Sequence, residues 1–109
     1  FLGQIRADEK PEGKVLAIAY TAYEDMALEK AFEIREEIFA KYPLTCMHIY
    51  HSLGEIKVGE ICLFVFTSSK HRKAAMQACD ELVERIKAEL PIWGKEILDA
   101  GAPVWKVNT

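Results

Sequence analysis

Two apolar runs, VLAIAY at 15–20 and ICLFVF at 61–66, constrain this chain more than any other feature, because an amphipathic pattern follows each of them. The runs are rich in branched and aromatic residues and read as strands. After each, apolar residues return at three- and four-residue steps, the period of a helix with one buried face. A chain that passes twice from buried strand to amphipathic helix must cover a sheet with helices. At six residues each, the runs fall far short of the ~20 that a membrane-spanning helix requires.

The remaining segments fit around that frame. FLGQIR suggests a short strand and ADEKPEG a polar loop. KVLAIAYTAY is the next strand, and from Glu24 a helix is expected with Leu28, Ala31, Phe32, Arg35, Ile38 and Phe39 inward until Pro43 stops it. CMHIYH and EICLFVFTS form two further strands joined across SLGEIKVG, where Gly54 and Gly59 mark turns. A second helix begins near His71, with Ala75, Cys79, Leu82, Val83 and Ile86 as its core face, Ser68 or Ser69 as cap and Pro91 as its end. PIWGKEILDAG is expected to hold a shorter helix closed by Gly101, and PVWKVN a terminal strand. The whole reads as one α+β domain over 1–109, a mostly antiparallel sheet with two main helices packed on it.

Composition then narrows function. With 109 residues, half of them apolar, the chain can bury roughly two-thirds of the surface its unfolded form exposes. A net charge of −3 argues against a general nucleic-acid binder, so any bound anion must be small and local. Cys46, Cys62 and Cys79 are odd in number and lack C-x-x-C spacing, which predicts buried, reduced thiols in a cytoplasmic protein rather than a disulfide framework or zinc site. Phe1 in an apparent strand, without an initiator Met or a signal peptide, suggests a chain trimmed upstream.

The chemistry lies in cations at unusual places. Lys70, His71, Arg72 and Lys73 crowd the start of the second helix, where the dipole and free N–H groups favour anions. Either an external anion sits among them, for which an arginine fork is suited, or four hydrated side chains splay into water. Lys87, sixteen residues after His71, borders the apolar stripe beside Val83 and Ile86 and could open at a pocket edge. Its position near a helix C-terminus, with Asp80 and Glu84 close by, is equally that of a structural cation. Arg6 closes the first strand, either over a bound anion or as an edge-strand charge. His48 and His51, three apart on a strand, face opposite sides and form no metal pair. Trp93 and Trp105 read as core or interface aromatics.

The pieces FLGQIR, HSLGEIKVGE, TSSKHR and RIKAELPIWGKE, in this order and at these spacings, resemble the large, catalytic subunit of molybdopterin synthase, the MoaE family. The likeness spans essentially the whole chain and implies an α/β-hammerhead-like fold. It also implies sulfur transfer in molybdenum cofactor synthesis, without a cofactor of the enzyme's own. A ubiquitin-like small subunit would carry sulfur as a C-terminal thiocarboxylate and thread that tail into a pocket. The substrate would be a cyclic pyranopterin monophosphate, and the assembly a homodimer within a heterotetramer, with no nucleic acid or membrane involved. By position, Arg6, His71, Arg72 and Trp93 match substrate-binding positions and Lys87 the essential pocket lysine. Two departures stand out. Many members carry a second lysine where this chain has Gly94, leaving Lys95, one place on, as a candidate catalytic substitute; on a helix it would point about 100° away. Ser52 stands where the family tends to have arginine. The alternative is a non-catalytic interaction module that binds a carrier tail or a small anion.

Overall fold

The computed structural model describes residues 1–99 and 104–106. In chain order the elements are β1 (Leu2–Gln4), β2 (Glu9–Lys10), β3 (Gly13–Ala22), α1 (Glu24–Lys41), β4 (Leu44–His51), β5 (Gly54–Lys57), β6 (Ile61–Ser69), α2 (Arg72–Glu89), β7 (Ile92–Leu98) and β8 (Val104–Trp105). Every pairing among them is antiparallel. The α+β expectation is met, with two sheets rather than one.

The first sheet has the order β1-β6-β4, so the apolar run 61–66 occupies its centre. Alternation along β6 and β4 turns Leu63, Val65 and Met47 to one face, where they meet Ile34 and Ile38 of α1 and Ala78, Leu82, Val83 and Ile86 of α2. In the second sheet β3 pairs with β7 along one edge and with β2 and β5 along the other, and β8 extends β7. Its smaller core joins Ile5, Val15, Ile18 and Leu98. Half-buried Cys62 packs against both clusters, so the two sheets meet at its position on β6.

Both long helices form where the period changed, but α1 is turned by about one residue from the expected face. Its buried residues are Ala27, Ile34 and Ile38, whereas Leu28 is 71% and Phe32 60% exposed. Ile38 is buried and Phe39 packs half-buried against the core, as expected, while Arg35 lies over the Phe39 ring, the guanidinium 4.9 Å from its centre. On α2 the stripe is as expected at Leu82, Val83 and Ile86, with Ala78 buried and Ala75 and Cys79 half-buried. Cross-helix ion pairs join Arg85 to Glu37 and Lys30 to Glu89, and the Tyr42 hydroxyl donates to Glu81 at 2.8 Å. Arg85, Glu81 and Glu89 are part-buried where the helices meet, and their partners Lys30 and Glu37 more exposed, so the pairs fix how the helices align.

Three further expectations are corrected. The cap of α2 is His71, without a side-chain bond; Ser69 acts from farther upstream, accepting the Ala75 N–H at 3.1 Å and donating to the His71 carbonyl. ADEKPEG is not all loop, since Glu9–Lys10 pairs with the start of β3, and SLGEIKVG contains β5. Its bounding turns do require glycine: Gly54 and Gly59 adopt φ of +83° and +87°. The largest correction is 92–98, a strand rather than a short helix, with Ile92, Gly94, Glu96 and Leu98 on one face. Only two of those four are large apolar residues, so the period of two is hidden. Gly101 lies outside the described residues, and of PVWKVN Val104–Trp105 is strand.

The rotation of α1 is testable. Ile34→Ala should cost about 2–5 kcal/mol, as for other fully buried aliphatic truncations, whereas Leu28→Ala should stay within about 0.5 kcal/mol, both read from urea unfolding midpoints. Equal losses would return Leu28 to the core.

Candidate active site

A cleft of about 420 Å³ opens where the two sheets meet. Seven separate parts of the chain build it. The end of β1 and the segment after it bring Gln4, Ile5, Arg6 and Asp8; β3 brings Ile18 and Tyr20. The ends of β4 and α2 contribute His51 and Lys87, and β6 contributes Cys62 and Leu63. Glu96 of β7 and Lys106, just past β8, close the far side. Apolar walls with a few convergent charges are the usual composition of a small-molecule site.

The cations come together through register. Pro91 ends α2 just after Lys87, whose ammonium lies 5.9 Å from the centre of the Phe1 ring. Arg6 is held 3.3 Å from Asp8 at the mouth. In the β3–β7 ladder Ile18 faces Glu96 and Tyr20 faces Gly94. Directly paired residues share a face, so Ile18, Tyr20 and Glu96 line the cleft and Gly94 lies in the same row. Beyond β7 the Lys106 N–H donates to the Gly94 carbonyl at 2.8 Å, which sets Lys106 in the same cross-strand row. Glu96 is 3% exposed, and the Lys10 ammonium lies 3.0 Å from its Oε1 without a well-directed hydrogen bond.

The titratable groups register this crowding. Lys106 is held below the ordinary lysine value, first by burial and then by repulsion from Lys87 and Arg6. Tyr20 is pushed well above the usual phenol range, chiefly by burial and then by Cys62. His51 is lowered by burial, partly offset by its Nδ1–H donating to the Ser52 carbonyl at 2.7 Å, so its ring is neutral at pH 7. Its edge meets the Tyr20 ring, with centroids 4.9 Å apart. His48 points to the other face of β4, beside Tyr50 and Phe66. The three cysteines are free and half-buried rather than fully buried. Ser52 is tied down, its hydroxyl donating to the Ile61 carbonyl.

The structure divides the residues singled out from sequence. Arg6 and Lys87 share the cleft. His71 and Arg72 do not: they border a separate, shallow hollow with Lys73, Met76 and Gln77 at the head of α2. Fifteen helical residues separate Arg72 from Lys87, about 22 Å of rise. Lys95 and Trp93 also lie outside the cleft. Because 92–98 is a strand, a one-residue step turns a side chain by half a revolution, and Lys95 faces away from Gly94 with its ammonium 5.3 Å from the Trp105 ring centre. Half-exposed Trp93 meets Tyr23 edge-on at 5.1 Å on that same outer side. Sequence reasoning missed Tyr20, His51, Glu96 and Lys106. Only Glu96 carried a signal, as a charge inside what proves to be an inward-facing row.

Gly94 is a packing requirement. A Cβ there would sit 2.9 Å from Ile18 Cγ2 and 3.0 Å from Tyr20 Cε1. Tyr20 therefore lies across a position that has no room for a side chain of its own.

Comparison with known proteins bears on this cleft. Residues 1–89 match the family model for MoaE protein. A Pyrococcus abyssi protein named molybdopterin synthase catalytic subunit is 39% identical over 93% of this chain and 68% of its own length. The rice protein of the same name is 39% identical over 87% of this chain and 49% of its own. The chain thus spans from about half to two-thirds of these relatives. The crystal structure of molybdopterin synthase from Staphylococcus aureus superposes with a TM-score of 0.90 at 38% identity, covering 97% of this chain and 76% of that one. The complex of subunits 1 and 2 of molybdopterin-converting factor from Helicobacter pylori matches at 0.78 with 18% identity, over 96% of this chain and 67% of that one, a likeness of fold alone.

Substitution at Gly94 should expose its constraint. Gly94→Ala should destabilise the protein by about 1–3 kcal/mol, as overpacked sites do, and Gly94→Lys by at least as much, measured as a fall in thermal midpoint. An unchanged midpoint in both would show that Tyr20 yields at no cost.

Proposed function

Because the chain belongs to the MoaE protein family, we propose that it transfers sulfur from a thiocarboxylated, ubiquitin-like carrier to a cyclic pyranopterin monophosphate, forming the dithiolene of molybdopterin. One observation carries the reading: in a chain of net charge −3, Arg6 and Lys87 open into a single cleft with apolar walls. Both proposed reactants are anions, and fixed cations in a partly dehydrated site stabilise them far more than cations in water. The name shared by the relatives, catalytic subunit, itself implies another subunit, and an extended carrier tail is narrow enough for such a cleft.

Each side chain then has a task. Arg6 at the mouth holds the substrate phosphate or the incoming tail, exchanging Asp8 for the ligand. Lys87 polarises the thiocarboxylate and stabilises the charge that develops as sulfur attacks. Neutral His51 and the high-pKa Tyr20 offer hydrogen bonds without adding charge. His71 and Arg72 are too far along α2 to meet the same anion as Lys87 of their own chain, so their contribution requires a second copy whose helix head approaches this cleft, as in a homodimer with a shared site. Lys95 and Trp93, on the outer face of β7, receive no role in the cleft.

Incubating the protein with thiocarboxylated carrier and the pterin phosphate should yield dithiolene. Lys87→Ala should fold normally yet slow product formation at least ~100-fold, the loss typical of removing an electrostatic stabiliser. Wild-type rates in that variant would leave Lys87 without its assigned part, and a carrier that binds without any product would favour the interaction-module reading. The shared site has its own test: Lys87→Ala and Arg72→Ala chains, each inactive alone, should recover on mixing to roughly a quarter of wild-type activity, the fraction of intact sites that random pairing produces. No recovery would confine Arg72 to another surface.

A further inference from the structure

We propose that Lys106 is a second substrate-contacting cation of the cleft, acting with Lys87 on the same bound anion. The proposal relies on the sulfur-transfer reading only for the identity of that anion.

Geometry is the first support. Lys106 comes from the strand end farthest in sequence from Arg6, yet it lines the same cleft as Arg6 and Lys87. Its backbone is fixed by the hydrogen bond to the Gly94 carbonyl, and the ladder Lys95–Trp105, Glu96–Val104 sets the register that points its side chain inward. Gly94 keeps the neighbouring position of the row free of a side chain, and that vacancy is packed by Tyr20 rather than by a charge.

Charge balance is the second. Among the described residues the carboxylates facing the cleft are Asp8 and Glu96. Asp8 is engaged by Arg6 at 3.3 Å and Glu96 by Lys10 at 3.0 Å. Of the other neighbours, Tyr20 is held in its neutral phenol form and His51 is disfavoured as a cation, both by burial. Lys106 is lowered first by burial and then by repulsion from Lys87 and Arg6, which Cys62 and Glu96 offset only in part. A structural lysine gains a carboxylate on folding; one held against two other cations gains its counter-charge when a ligand arrives. An anion placed between Lys87 and Lys106 offsets that repulsion and favours the ammonium form of both.

The test uses Lys106→Met, which keeps the stem and removes the charge, and Lys106→Arg, which keeps the charge, with inorganic phosphate as probe and dithiolene formation as the rate. Lys106→Met should weaken phosphate binding about 10-fold, as loss of a charged hydrogen bond does, and slow product formation about 100-fold. Lys106→Arg should retain phosphate binding and move the alkaline limb of the rate profile to higher pH, since a guanidinium does not deprotonate there. Wild-type phosphate affinity and turnover in Lys106→Met would overturn the proposal. Should that variant fail to fold, an unmoved alkaline limb in Lys106→Arg would overturn it equally. Weakened phosphate binding in Lys106→Met, alongside a wild-type protein that makes no dithiolene, would uphold the Lys106 cation and remove the sulfur-transfer reading.

Discussion

The pairing of β3 with β7 is the contact on which the rest of this molecule depends. It sets Ile18 against Glu96 and Tyr20 against Gly94, and so determines which side of β7 faces the other sheet. The absence of a side chain at Gly94 lets the Tyr20 ring lie flat across the row, and the ring in turn supports His51. Slipping the register by one residue would exchange Gly94 and Glu96 for Trp93 and Lys95. The cleft would then receive a tryptophan and lose its floor.

Around that ladder the protein concentrates positive charge within an acidic whole. The helices carry most of the acid, and Glu37, Glu81 and Glu89 among it are paired to Arg85, Lys41 and Lys30 where the helices meet. The cleft instead gathers Arg6, Lys87 and Lys106 from three distant parts of the chain. Arg6 is paired there with Asp8, and Lys106 is repelled by Lys87 and Arg6, so the cleft as a whole favours negative charge. The cations at the head of α2 form a second, separate concentration with no acidic residue in the first turn to balance them. Two cationic surfaces about 22 Å apart on one helix suit a site assembled from two chains better than a pocket contained in one.

The places where sequence reading went astray share a cause. Residues 92–98 looked helical because a proline opens the segment and two of its inward positions are glycine and glutamate, residues that an apolar-periodicity test scores as outward. Of those two, Glu96 lines the cleft, and Gly94 leaves the room that Tyr20 of the cleft wall occupies. On α1 Leu28 and Phe32 are as apolar as Ile34, and which of them joins Ile38 in the core depends on where α2 lies. Lys106 had no local signal at all: a lone lysine near a chain end becomes informative only when a ladder places it opposite Gly94.

By itself the sequence determined what short-range chemistry can encode: the two buried strands, the two amphipathic helices that follow them, the proline stops, the glycine turns, and the α+β class these impose. It also carried the ordered set of short motifs that identify the family, with Arg6 and Lys87 among them. Tertiary structure alone decided which cations meet. Convergence of side chains that lie 19 and 81 residues from Lys87 depends on strand register and on the angle between two sheets, and those follow from packing summed over the whole chain rather than from any local pattern.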